Sequence, residues 1–90
     1  MNASGFDWIY SHDERFRYQL LSRMKLDCDY YLGHGGRSAN CLWATDEVAQ
    51  IETMKALWNS FSDDKKPEWL SWEQIEQYEA DMGIEEDHYQ

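Results

Sequence analysis

The sequence predicts an all-α fold: a small domain of three main helices, with an extended aromatic arm at its N-terminus and an acidic tail at its C-terminus. Three observations carry this. Apolar residues recur at helical spacing in three separate stretches, and capping signals stand ahead of each. The single proline, Pro67, and the glycines Gly33, Gly35 and Gly36 fall between those stretches.

At 90 residues the chain is one helical domain over residues 1–90, because a chain this short cannot divide its burial between two cores. Five tryptophans, six tyrosines and three phenylalanines compensate for the small size, since each large ring buries about 150–250 Å². Residues 1–5 and 85–90 are expected to be disordered. Phe6 to Tyr10, rich in aromatics, is expected to lie extended across the helices.

The first helix is expected to open on a capping box of Ser11 and Glu14, with Asp13 favouring the helix dipole. Phe16, Leu20, Leu21, Met24, Cys28 and Tyr31 then gather on one face over about 20 residues, and Gly33 supplies the stop. Arg17 falls within that face and is expected to pair with Asp13, one turn earlier. The run Gly33, His34, Gly35, Gly36 follows a helix rather than a strand and leads to Arg37 and Ser38. It is therefore a turn, not a phosphate-binding loop.

Arg37 to Ala44, with Cys41, Leu42 and Trp43, is expected to be a short helical turn over one end of the core. Thr45 reads as the cap of the second helix, with Asp46 and Glu47 in its first turn. That helix carries Val48, Ile51, Met54, Trp58 and Phe61 as a stripe. Leu57 projects to nearly the opposite side, which predicts a helix covered on two faces.

Ser62 to Lys66 is polar, and Pro67 prevents helix continuation. Ser71 and Gln74 form a second capping box, with Leu70 and Ile75 placed as a hydrophobic staple. The third helix runs from Trp72 to Met82 along the stripe Trp72, Ile75, Tyr78 and Met82, and Gly83 ends it. Trp58, Pro67, Trp69, Ser71 and Trp72 are expected to form a structural clasp around this turn.

No catalytic constellation is legible, and the chain reads as a non-enzyme without a cofactor. Cys28, His34 and Cys41 match neither a Cys-x-x-Cys knuckle nor a His-x-x-x-His pair, so no metal site is expected. Asp27 and Asp29 flank Cys28 on the apolar face and would oppose thiolate formation. The same segment lacks the glycine and closing glutamate of a calcium loop. There is no signal peptide and no apolar run long enough for a bilayer, so a cytoplasmic protein is expected, with no membrane partner.

The charge pattern is more informative. The net charge is −10, from 18 acidic and eight basic residues, beyond the range of about 2 to 8 in magnitude usual for a small soluble domain. After Lys66 there is no Lys or Arg. Glu73, Glu76 and Asp81 point away from the apolar stripe of the third helix, and Glu85, Glu86 and Asp87 follow it. Asp81 and the tail acids crowd the helix end where the dipole disfavours negative charge. A solvated face accounts for such a pattern; so does a docking face for a basic protein patch. Direct nucleic-acid binding is not expected, because the cations are scattered.

Tyr18 to Met24, Asp27 to Gly33, Leu42 with Trp43, Met54 to Phe61, and Lys66 to Leu70 with Ile75 and Tyr78 resemble the large polyvalent protein-associated domains, in the eleventh class of that series. The likeness covers about Tyr18 to Met82. It implies a phage, plasmid or conjugative-element accessory function in a bacterial cell, linked to establishing the element or countering host defences, and no known reaction. The aromatic arm and acidic tail suggest a free-standing copy, a monomer or weak homodimer, acting on a host or mobile-element protein with a basic surface. Two readings follow: counter-defence, such as anti-CRISPR or anti-restriction, by docking the acidic face on a basic nucleic-acid site; or a structural interaction module associating through aromatics near Trp69 and Leu57.

Overall fold

The computed structural model describes residues 6–84, and within them the fold is all-α. Four helices follow in order: α1 (Asp7–Tyr10), α2 (Glu14–Gly33), α3 (Glu47–Asn59) and α4 (Trp72–Asp81), with 3₁₀ turns at Ala39–Cys41 and Asp63–Lys65. The last three are the main helices predicted above. The disorder expected at residues 1–5 and 85–90, and the acidic tail, lie outside the described residues.

Helix α3 is central, packing against both α2 and α4. This is why Leu57, on the far side of the α3 stripe, is as fully buried as Ile51 and Met54. Leu21, Met24 and Cys28 from α2 and Leu70 and Ile75 around the start of α4 complete the solvent-free centre. Leu42 is buried over one end, while Trp43 beside it is exposed. Among the described residues every fully buried side-chain nitrogen and oxygen has a hydrogen-bond partner.

Where an extended arm was expected, α1 forms a single helical turn that drives Ile9 into the core at 0 % exposure. The turn decides the cap of α2. The Ser11 hydroxyl closes α1 by donating to the Trp8 carbonyl at 2.7 Å, so Asp13 caps α2 instead, accepting from the Phe16 amide at 2.8 Å. With Asp13 so engaged, Arg17 does not pair with it. Its guanidinium donates to the carbonyls of His12 at 3.2 Å and Ser60 at 3.1 Å and lies 5.5 Å from the Phe61 ring centre. Because Ser60 is the C-cap of α3, this cation stands at a helix end whose dipole favours it. Phe16, expected in the core, lies on the first turn of α2, stacked on His12, and is 41 % exposed.

The α2 helix runs through Gly33, and the reversal follows at Gly35 and Gly36. Gly35 is required by space: a Cβ there would come within 2.9 Å of the Cys41 sulfur and 3.0 Å of the Tyr30 carbonyl. The cap of α3 is displaced by one residue from the expected Thr45. Asp46 accepts from the Ala49 amide at 2.8 Å, while Thr45 takes a left-handed φ of 56°. A carboxylate at a helix N-terminus gains both the hydrogen bond and the dipole, which a hydroxyl gains less fully.

At α4 the predicted capping box is present: the Gln74 amide donates to Ser71 Oγ at 3.1 Å and the Ser71 amide to Gln74 Oε1 at 3.2 Å. Its far end is a Schellman turn. Gly83, at φ +80°, donates to the Ala80 carbonyl, and Ile84 donates to the Glu79 carbonyl. Ile84, the last residue before the stretch expected to be disordered, is buried at 9 % exposure, as the apolar residue of such a turn should be.

Candidate functional site

The clasp residues determine how α4 is held. Trp58 donates from Nε1 to the Leu70 carbonyl at 3.0 Å, and its ring meets that of Trp72 at 5.4 Å and a 52° tilt. Pro67 is buried. Two lysines cover the rings: Lys66 lies 4.6 Å from the Trp58 centre and Lys55 lies 5.6 Å from the Trp72 centre. Lys66 also donates to the Phe61 carbonyl, holding the polar turn against the end of α3. Trp69 does not join them. It turns to α2, donating to Tyr18 Oη at 2.6 Å with the two rings edge to face at 5.3 Å.

The acids of α4 divide accordingly. Glu79 turns inward and bridges Lys55 on α3 at 3.2 Å. Glu73, Glu76 and Asp81 are exposed, together with Gln77 and Ala80. At 100° per residue those five positions cover about 140° of the helix circumference, a continuous outer face with no Lys or Arg in it. Asp81 accepts from Gln77 Nε2 at 2.8 Å. Glu85, Glu86 and Asp87 lie outside the described residues.

The opposite side of α4 is tied to α2. Tyr78 donates to Asp29 Oδ1 at 2.6 Å, and Asp29 also pairs with Lys25 at 3.1 Å. Burial first, then the Asp29 hydrogen bond and charge, push the Tyr78 phenol well above its usual range. The outward acids are thus carried by a helix locked at its capping box, at the tryptophan pair and at Tyr78.

Cys28 is fully buried with its sulfur 3.5 Å from that of Met54, and burial pushes its thiol up to about 12. Cys41 lies 3.8 Å from the Gly35 carbonyl. Among the described residues no three His, Cys, Asp or Glu side chains converge as a metal site would require, and no helix is long and apolar enough to cross a membrane. Leu57, near which an association surface of exposed aromatics was expected, is itself fully buried.

Two features escaped the sequence reading. Gln50, polar on an apolar helix, is completely buried: it donates to the Met24 carbonyl of α2 at 3.2 Å and accepts from the Ala44 amide at 3.0 Å, joining α2, α3 and their connection. The other is an open groove of about 250 Å³ lined by Phe16, Gln19, Leu20, Arg23 and Trp43. Its aromatic wall continues through Trp8, 5.7 Å from Trp43, and His12, stacked on Phe16 at 4.1 Å. No local sequence signal marks it, because the groove forms only where Trp43 returns beside α2.

A family model described as large polyvalent protein-associated domain 11 matches residues 14–82, from the start of α2 to the C-cap of α4. No curated protein and no solved structure matches the chain.

Proposed function

The chain belongs to the large polyvalent protein-associated domain 11 family, whose members are associated with mobile elements, and on that premise we propose that it is a non-enzymatic accessory protein acting by protein binding. The α4 face of Glu73, Glu76 and Asp81 docks on a basic surface of a host or element protein in the bacterial cytoplasm. A nucleic-acid site on a defence complex is the target that such a face would suit, giving counter-defence of the anti-CRISPR or anti-restriction kind.

One observation carries this reading: α4 presents three outward acids with no cation among them, while Lys55 and Lys66 are drawn inward over tryptophan rings. Uncompensated charge held on a fixed helix raises association rates with an oppositely charged surface and makes them steeply salt-dependent. The pairing of Glu79 with Lys55 sharpens the face, since the inward acid is neutralised and the outward ones are not.

The test is capture of partners from a bacterial lysate at low and high salt by the wild-type chain and by the triple variant Glu73→Lys, Glu76→Lys, Asp81→Lys. Specific capture that high salt and the triple variant both abolish is the expected result. Capture indifferent to both would refute the charge-docking reading. It would favour the alternative, a structural interaction module without an inhibitory role.

A further inference from the structure

Along α2, the residues Phe16, Gln19, Arg23, Leu26 and Tyr30 are spaced alternately by three and four, which places them in one stripe of the helix surface. Leu26 is 63 % exposed, Tyr30 53 % and Phe16 41 %. A monomer gains nothing from exposing large apolar side chains in register over four turns. At one end of the stripe is the groove of Phe16, Gln19, Leu20, Arg23 and Trp43; at the other stand Leu26 and Tyr30, projecting. A hollow and a projection on one helix are the elements of a self-complementary contact.

From this we infer that α2 is an interface for a second copy of this chain, the two helices packing antiparallel about a two-fold axis at the level of Lys25. That axis places Tyr30 of the second copy level with Leu20, seating its ring in the groove, and brings Leu26 near its own counterpart. It also sets Arg23 opposite Asp27 of the second copy, and Asp27 opposite Arg23. The charge match occurs twice, because the two residues lie one turn apart on either side of the axis. A parallel pairing would put Arg23 against Arg23 and would bring Leu26 and Tyr30 nowhere near the groove.

The area is modest. The stripe is about 22 Å long at 1.5 Å per residue, which places the contact at the low end of specific interfaces, below about 1,200 Å² in total. The dimer is therefore weak and populated at micromolar or higher concentration. The stripe involves none of Glu73, Glu76 and Asp81, so its fate is independent of the docking face on α4.

Sedimentation of the full chain from about 10 μM to about 1 mM tests this. The mass should rise from the monomer value of 10.8 kDa toward twice that. Leu26→Lys and Arg23→Asp, both at exposed positions, should each weaken association at least tenfold, by about 1.4 kcal/mol or more, with the helical circular dichroism unchanged. Asp27→Arg alone should also fail to self-associate, yet mixed with Arg23→Asp it should form a one-to-one dimer, since every facing pair is then opposite in charge. The double variant Arg23→Asp, Asp27→Arg should dimerise alone for the same reason. A wild-type mass fixed at the monomer value, association that survives Leu26→Lys, or failure of both rescues would overturn the inference.

Discussion

Tyr78 on α4 donates its phenolic hydrogen to Asp29 on α2 at 2.6 Å, a bond spanning 49 residues of sequence. It links the helix that carries the outward acids to α2, which supplies five of the buried core residues. Replacing it by Tyr78→Phe keeps the buried ring and leaves Asp29 with Lys25. The expected loss is about 1–2 kcal/mol, the usual worth of a hydrogen bond to a charged group discounted for partial exposure, measured by urea unfolding near neutral pH.

The same pair gives a pH dependence. The folded pKa of Tyr78 is raised above its unfolded value of about 10. Its contribution is therefore complete below about pH 10 and is lost as the pH climbs from there toward the folded value. Tyr31 is raised in the same direction, by burial first and then by its bond to Glu47. In a stability profile carried above pH 10, Tyr78→Phe should decline less steeply than wild type. Parallel declines would show that Tyr78 is not held protonated by the fold.

The tryptophans should separate by environment. Trp58→Ala removes a ring packed on Trp72 and the bond to Leu70, and a loss of about 3–5 kcal/mol is expected. Trp69 is half-buried like Trp58, but its ring meets Tyr18 rather than a second tryptophan and its Nε1 bonds a side-chain hydroxyl rather than the backbone, so Trp69→Ala should cost less, about 2 kcal/mol. Thermal unfolding of both variants, with Trp58→Phe as the ring-preserving control, ranks them. A larger loss at Trp69 than at Trp58 would contradict the arrangement.

Two positions of positive φ predict opposite responses. Thr45 is β-branched and sits at φ 56°, where glycine is free of steric cost, so Thr45→Gly should stabilise by up to about 1 kcal/mol. Gly83 sits at φ +80°, and Gly83→Ala should destabilise by about 1 kcal/mol although nothing lies within 4 Å of the added carbon. Chemical denaturation of the two variants decides both.

Gln50→Leu preserves volume but strands the Ala44 amide and removes a donor from the Met24 carbonyl. A cost of about 1–3 kcal/mol is expected. Faster hydrogen exchange at Ala44 should accompany it, because this bond fixes the connection from α2 to α3.

Cys28 and Cys41 should differ in reactivity. With its thiol pushed up to about 12 and no exposure, Cys28 should resist alkylation near neutral pH until the chain unfolds. Peptide mapping after limited alkylation should find Cys41 modified and Cys28 intact.

The three main helices were determined by the sequence alone: the periodicity of Leu20, Leu21, Met24 and Cys28, the box of Ser71 and Gln74, and the break at Pro67 are local signals with local causes. So was the outward placement of Glu73, Glu76 and Asp81, which follows from the α4 stripe by geometry. Tertiary structure decided what local signals left in competition. Ser11 and Asp13 both suit a helix start, and the α1 turn, anchored by Ile9, took the first and left the second. Gln50 carries no local signal of burial, and only α2 and the Ala44 connection bring it two partners. Arg17 had a neighbour within one turn but found Ser60, 43 residues away, because the end of α3 offered carbonyls and a dipole that only folding brings within reach. Helix identity depends on residues within a turn or two of one another, whereas competing caps and buried polar bridges depend on which helix arrives beside them.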